Sequence, residues 1–417
     1  MSGDPGLYFD VIVAGGGASG MTAACFCAEG LKGRKGRVAV LEKNDVLGKK
    51  LSVTGNGKCN ISNEKMEASC YNGDLSFVEG LLKEYPTSRV LSWFEKLGIR
   101  TVSKNGYLYP MSEQAKSVTE ALERELKNLN VSVFKGCTVE SITNNGDGFS
   151  LCTRDKEGRK IEYGAKRVIL SLGGPASVYG ATDTGFKVLK GFGINLEEPR
   201  PALTALTSSD KILKKMAGVR LQAAVTLSVK GRKYTDTGEI IFNDGNVSGI
   251  PVFKISRFVE KDSRPTLIAD LLPSLSRDEA VSFITGVLRH NPRTTYEQLL
   301  RGILNYKAVY YILERNRIDA ESIAGSLTDE AAGKLVDLFK NFTLEINGTK
   351  GFESAQTSTG GALPSCLDRE SLESLKVKGL YITGELVDVD GICGGYNLHF
   401  AWASGTKAGK ACAESLC

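Results

Sequence analysis

The residues Asp10-Val11-Ile12-Val13-Ala14 run directly into Gly15-Gly16-Gly17-Ala18-Ser19-Gly20, and a small-residue segment follows from Met21 to Ala28. A short apolar run with β-branched residues reads as a buried parallel strand, and the segment after it has helical character. Gly15-x-Gly17-x-x-Gly20 between a strand and a helix is the dinucleotide fingerprint in the context it requires. Gly15 lets the strand turn sharply, Gly17 lets a pyrophosphate approach the backbone, and Gly20 lets the helix lie close on the strand. With Ala18 and Ser19 they place free N–H groups and the positive end of a helix dipole before an anion. The unit is completed by Val38-Ala39-Val40-Leu41, a second buried strand ending in Glu42. That acid stands 22 residues after Gly20, near the usual position of the group that takes ribose hydroxyls.

At 417 residues the chain exceeds one ordinary core, so two or three domains are expected. A net charge of +5 is mild and does not call for nucleic acid. No apolar run reaches the length of a membrane span. The first apolar run is the nucleotide-binding strand itself, with acids rather than a basic region around it. A signal peptide is therefore not expected and the cytoplasm is. The ten cysteines are scattered, with no Cys-x-x-Cys and no Cys/His metal spacing, which predicts free thiols and no metal site.

After Glu42 and Lys43 comes an aperiodic loop, 47–63, rich in glycine, amides and lysine with one cysteine. Such loops in nucleotide domains are often functional. It nominates Lys43 and Lys50 as cofactor contacts and would carry Gly57, Cys59 and Asn60 toward the reactive end. The basic loop 30–37 reads as a solvated turn, and Cys25 and Cys27 as small buried hydrophobes. Helical segments over 74–98 are broken at Pro86, and 106–110 reads as a short edge strand. An amphipathic helix is expected over 117–130. Strands at 131–134, 138–142 and 148–152 form a β-meander that includes Val139. The strand 167–172 ends in Gly173-Gly174, a second close-backbone site, and 180–185 continues that loop.

Composition shifts at Pro199-Arg200-Pro201. Strands are expected at 225–229, 233–234, 239–242 and 266–269. Helices follow at 276–288, opened by a capping box, at 295–304 and at 329–339. His290 reads as a helix-end cap. Leu380-Tyr381-Ile382-Thr383-Gly384-Glu385 is again a buried strand running into glycine and an acid. Asp388-Val389-Asp390-Gly391-Ile392-Cys393-Gly394-Gly395-Tyr396-Asn397-Leu398-His399 then leads into a small-residue helix, 398–413. A second strand–glycine–helix device thus closes the chain.

Thr54-Gly55-Asn56-Gly57-Lys58-Cys59-Asn60 and Gly384-Glu385-x-x-Asp388-Val389-Asp390-Gly391-x-x-Gly394-Gly395-Tyr396-Asn397 are the most specific parts of a resemblance that covers nearly the whole chain. With Phe352-Glu353-x-Ala355 and Thr359-Gly360-Gly361, they resemble the BaiN-like, also YhiN-like, FAD-dependent flavoproteins of bacteria, which belong with the glutathione-reductase-like, two-dinucleotide-fold flavoproteins. The resemblance implies an α/β fold. A Rossmann-like FAD-binding domain is formed by 1–198 and 352–417, and an inserted β-plus-α domain, 199–351, covers the flavin and shapes the substrate pocket. It implies FAD at the first fingerprint, clasped by both ends of the chain. By the same resemblance Glu42 takes the adenosine ribose, backbone at Val139 lies by adenine, and Glu385 or Asp390 meets the ribitol–pyrophosphate side. Gly395, Asn397 and Leu398 open a helix aimed at the flavin N1–C2 edge, where its dipole favours the reduced, anionic ring.

The chain departs from the family in three places: His399 where Gln is common, Ser171-Leu172-Gly173-Gly174 where Ala-Thr-Gly-Gly is common, and Cys393 where Thr is common. They bear on redox tuning and substrate rather than on FAD. His399 either faces inward, adding a titrating charge near the flavin, or lies on the helix surface. It and Cys59 are the candidate catalytic residues. The leading functional expectation is an FAD-dependent oxidoreductase acting on a small organic molecule. The family has been linked to reduction of steroid-like bile-acid intermediates and to amine oxidation. No second Gly-x-Gly-x-x-Gly exists, so NADH or NADPH, as electron donor, would dock without one. The alternatives are a flavin-dependent RNA-modifying protein and a redox sensor using Cys59 and Cys393.

Overall fold

The computed structural model describes residues 7–34, 36–176, 182–325 and 327–417. Gly180 and Ala181 of the expected 180–185 loop, and Lys35 of the basic loop, lie outside them. Two compact units are present: Met1–Arg200 with Thr357–Cys417, and Pro201–Gln356.

The first unit is built on a seven-stranded sheet. Strand β1 (Tyr8–Ala14) runs parallel between β2 (Val38–Glu42) and the last third of the meander, with Val13 opposite Val40 on one side and Ile169 on the other. Both strands are buried on both faces in their apolar stretch, which is why the sequence there is continuous rather than alternating. Strand β3 (Ser132–Lys135) flanks β2 in parallel. Strands β4 (Thr138–Asn144), β5 (Phe149–Arg154) and β6 (Lys160–Leu170) form the antiparallel meander. β6 begins seven residues before the strand read at 167–172. Its first half, Lys160 to Ala165, pairs with β5; its apolar end, Val168 to Leu170, pairs in parallel with β7 (Leu380–Ile382). Only that doubly buried end carries a continuous apolar signal.

Helix α1 (Ala18–Gly30) leaves the fingerprint, α2 (Ala115–Asn128) is the amphipathic helix, with Val118, Leu122 and Leu126 buried, and α3 (Tyr396–Glu414) ends the chain. α1 and α3 approach through small residues. A Cβ on Gly405 would fall 2.4 Å from the Ser19 carbonyl oxygen, and one on Gly409 equally close to that of Ala23. The strand Tyr107–Pro110 was expected at an edge. It is the centre of a three-stranded sheet, because Ser62–Asn63, too short to read in sequence, pairs on its far side.

The second unit has its own core and a seven-stranded antiparallel sheet. Its long hairpin, Arg220–Val229 and Arg232–Asn243, joins what read as separate strands at 233–234 and 239–242. The intervening Thr235 to Gly238 is polar and largely exposed, so it carries little apolar alternation. The capping box at Ser276 opens the helix Arg277–His290, whose last turn holds His290. Helix Tyr306–Arg315 was not anticipated. Among the described residues no helix is long and apolar enough to cross a membrane.

Candidate functional site

The site starts at the end of β1. Gly15 has φ +107, and a Cβ there would lie 2.2 Å from the Ser171 carbonyl oxygen. At Gly20 it would lie 1.9 Å from the Gly15 carbonyl oxygen. Gly17 is different: it caps α1 without any side-chain hydrogen bond, and a Cβ would meet nothing within 4 Å. Two fingerprint glycines are therefore closed by the protein itself, and the one between them faces open space at a helix N-terminus. Glu42 is buried beside it and accepts from Gly16 N at 2.8 Å. Its other oxygen accepts from Asn44 N and Nδ2, at 2.8 and 2.6 Å. The carboxylate is fixed in place and retains lone pairs for further donors. Burial pulls the Lys43 ammonium down from its ordinary range, with Glu42 opposing. Cys137 N donates to the Glu42 carbonyl at 2.8 Å, which brings buried Val139 to the same strand ends.

The chain returns to this corner after β7. Gly384, at φ +63, donates its N–H to Ser404 Oγ, and a Cβ there would lie 2.5 Å from Ser19 Oγ. Glu385 forms an ion pair with Lys50 and accepts from Thr357 Oγ1. Gly173 faces the same carboxylate, its Cβ position 3.7 Å from Glu385 Oε2, and that of Gly174 is 2.3 Å from Ser358 Oγ. The Ser358 hydroxyl is buried and has no hydrogen-bond partner among the described residues. Neither Thr357 nor Ser358 was singled out from sequence. The available signal was Thr357-Ser358-Thr359, a polar run that is wholly buried in a strand.

At the start of α3, Gly395 caps the helix in the left-handed conformation with no side-chain hydrogen bond. Asn397 holds the approach loop: its Oδ1 accepts from Gly391 N and its Nδ2 donates to Gly391 O, both at 2.8 Å. Leu398 is half-buried in the first turn, and Asp390 is buried on a short strand beside Asn72. In the 47–63 loop, Gly55, Asn56, Gly57 and Cys59 all take positive φ. For Asn this is tolerated; for Cys59 it is strain, of the kind that clusters at ligand sites. The loop delivers Asn60 into the interior, where its Oδ1 has no hydrogen-bond partner among the described residues.

The two candidate catalytic side chains do not behave as such. His399 is fully buried, between Ser62 Oγ at 2.8 Å on Nδ1 and the Tyr85 carbonyl at 2.9 Å on Nε2. The carbonyl can only accept, so Nε2 carries the proton and Nδ1 accepts from Ser62. Burial pulls its pKa down to about 4, against the bond to Tyr85. The expectation of a charge titrating near neutrality, and of a surface position as its alternative, are both corrected. Burial likewise pushes the Cys59 thiol up to about 12, with Thr54 opposing, so the nucleophilic thiolate is absent at neutral pH.

One unit thus presents two glycine-capped helix N-termini, an open glycine at the first, a buried acid at the end of β2, and the buried side-chain oxygens of Asn60 and Ser358 with no hydrogen-bond partner among the described residues. These residues fit an elongated dinucleotide such as FAD, a pyrophosphate on α1 and a ring edge on α3.

A family model described as the HI0933-like protein Rossmann domain matches residues 9–411. The chain belongs to the HI0933-like family. That bears out the resemblance read from its motifs. This HI0933-like protein is 38% identical over 410 residues to the 3-dehydro-bile acid delta(4,6)-reductase of Clostridium scindens, covering 96% of this chain and 98% of that one. It is 27% identical over 420 residues to the ribosomal RNA dihydrouridine synthase of Haemophilus influenzae, covering 98% of each. The crystal structure of a 3-ketosteroid delta1-dehydrogenase from Sterolibacterium denitrificans matches with TM-score 0.53 at 13% identity, covering 98% of this chain and 100% of that one, a likeness of fold. The HI0933-like protein is an α/β, Rossmann-type, FAD-dependent oxidoreductase.

Proposed function

We propose that this protein reduces a carbon–carbon double bond conjugated to a ketone in a small steroid-like molecule, with NADH or NADPH supplying the electrons. The observation that carries the reading is the 38% identity, over almost the whole chain, to a bile-acid reductase. In balance, the enone, NAD(P)H and a proton give the saturated ketone and NAD(P)+. FAD supplies hydride transfer when bound; the chain's own residues bind and tune it. In this reading Gly15, Gly17, Ala18, Ser19 and Gly20 hold the pyrophosphate, Glu42 the ribose and Val139 the adenine. Lys43, Lys50, Gly57, Cys59, Asn60, Gly173, Gly174, Gly384, Glu385, Asp390, Gly395, Asn397 and Leu398 line the remainder. The uncapped start of α3 favours negative charge on the ring edge it faces. The separate unit Pro201–Gln356, which carries no nucleotide fingerprint, is the substrate-binding domain in this proposal.

The test is anaerobic bleaching of the yellow protein by NADH and by NADPH, followed by reoxidation with a 3-oxo-4,6-diene steroid. Bleaching by one donor and reoxidation by the steroid, with loss of one of its two conjugated double bonds per reduced flavin, is the expected result. The full-length likeness to a ribosomal RNA dihydrouridine synthase favours a second reading, reduction of a uridine in ribosomal RNA. Conversion of uridine to dihydrouridine in a ribosomal RNA transcript, with the steroid inert, would put that reading in first place. The thiol-sensor alternative finds no support in Cys59, whose buried thiol stays protonated.

A further inference from the structure

The two most specific motifs of the chain meet in space. A Cβ on Gly395 would fall 2.8 Å from Asn60 Oδ1 and 2.6 Å from the Ser62 carbonyl oxygen. Gly395 can occupy this place because it has no Cβ and sits at φ +91. Behind it the first turn of α3 has no side-chain cap and no acidic residue. Its leading N–H groups are donors without a partner inside the helix.

Asn60 is the complement. It is 8% exposed, and its Oδ1 is buried with no hydrogen-bond partner among the described residues. A buried acceptor without a donor is costly, and native structures retain few of them. Nor can Asn60 drift toward another partner. Ile61 N donates to the Leu108 carbonyl at 2.8 Å, and Trp402 Nε1 donates to the Ile61 carbonyl at 3.0 Å. On the other side, the left-handed turn at Cys59 sets the direction in which Asn60 leaves the loop. The unpartnered acceptor is thus held against Gly395, the residue that caps α3 and stands before its free N–H groups. A ligand edge that alternates donor and acceptor satisfies both at once, and an imide, –CO–NH–CO–, has that pattern.

We propose that Asn60 reads the imide edge of the flavin ring: its carboxamide oxygen accepts the ring N3–H, while the start of α3 faces the neighbouring ring carbonyl. This rests on FAD being the bound dinucleotide. Asn60 is a positioning residue that fixes the ring by its only N–H donor. The two motifs are specific to each other because one supplies the acceptor and the other the donors for a single ligand edge.

The experiment strips the full-length protein of flavin and reconstitutes it with FAD and with 3-methyl-FAD, which lacks the N3–H. Quenching of flavin fluorescence reports both affinities. The wild-type protein is expected to prefer FAD by about tenfold, the worth of one well-made hydrogen bond. Asn60→Ala is expected to lose that preference, its FAD affinity falling about tenfold and its affinity for 3-methyl-FAD changing far less. Asn60→Asp keeps an acceptor but places a negative charge against a ring that becomes anionic on reduction, so the flavin midpoint potential shifts to more negative values. A role confined to folding would lower both affinities together and leave their ratio unchanged. Equal wild-type affinity for the two flavins overturns the proposal without any variant, as does an Asn60→Ala protein that keeps the wild-type ratio. If the wild-type protein binds neither flavin, the FAD reading itself falls and takes this inference with it.

Discussion

Lys50 Nζ lies 2.8 Å from each carboxylate oxygen of Glu385, and Thr357 Oγ1 donates to Oε1 of the same carboxylate at 2.6 Å. The two charged residues are 335 positions apart, so the pair ties the loop after β2 to the returning strand end. Both side chains keep contact with solvent, at 35% and 24% exposure. A pair of this kind contributes only about 0–1 kcal/mol to stability. It lies beside Gly173 and Gly174, and in the proposed FAD reading it forms the polar wall of the dinucleotide groove. Glu385→Gln is therefore expected to lower the melting temperature of the flavin-free protein by no more than a few degrees. Its FAD dissociation constant should rise about tenfold or more. A variant that melts far lower yet binds FAD normally would make the pair purely structural.

The fingerprint glycines separate ligand from packing in one comparison. A Cβ on Gly17 meets nothing within 4 Å, whereas one on Gly20 lies 1.9 Å from the Gly15 carbonyl oxygen. Gly17→Val should leave the flavin-free fold intact, apart from about 1 kcal/mol for a poorer N-cap residue, and should abolish FAD binding. Gly20→Val should fail to fold with or without flavin. Circular dichroism and flavin content of both variants are the measurements. FAD retained by Gly17→Val would place the pyrophosphate elsewhere.

How much of this was legible follows from the physics of each stretch. β1, β2 and β7 announce themselves because a strand buried on both faces must be continuously apolar, and β1 and β7 run on into glycine. Glu42 was legible from its offset alone. Thr357 and Ser358 were not, because Thr-Ser-Thr-Gly-Gly has the composition of a loop, and only tertiary pairing makes it a buried strand. The facing of His399 was hidden for the opposite reason. From His399 to Gly409 every residue of α3 is buried, so the helix has no polar face from which to read direction. Asn60 lies in a loop whose five positive-φ residues erase any periodicity; the motif marked the place, and only the fold shows what its amide faces.

Cys59 should be chemically silent. Burial pushes its thiol up to about 12, and its side chain is inaccessible. At neutral pH the thiolate that reacts with alkylating agents and disulfides is about one part in a hundred thousand. Iodoacetamide should label exposed Cys417 and leave Cys59 unmodified in the native protein, as read by peptide mass mapping. Cys59→Ser should keep full flavin reduction by whichever nicotinamide donor works. Loss of reduction with FAD still bound would restore thiol chemistry to the mechanism.

His399 makes the sharpest prediction, because its geometry fixes the sign. In the folded chain it is neutral, with its pKa pulled by burial to about 4 from an ordinary 6.5. Between those values the unfolded chain binds the extra proton and the folded chain does not. The stabilisation is therefore complete above about pH 6.5, falls by about 1.4 kcal/mol per pH unit on acidification, and levels off below about pH 4. The total loss is ~3 kcal/mol, measurable as denaturation midpoints across that range. His399→Gln can reproduce both bonds of the neutral ring, its amide N–H donating to the Tyr85 carbonyl and its oxygen accepting from Ser62. The variant should match the wild-type stability at pH 7.5 within about 1 kcal/mol and lack the steep acid slope. Since no charge appears on His399 near neutrality, the flavin midpoint potentials of the two proteins should run parallel from mildly acidic to mildly alkaline pH. A wild-type potential that bends away from the variant near pH 6.5 would mean that the ring titrates beside the flavin and that the Ser62–His399–Tyr85 bridge opens in solution.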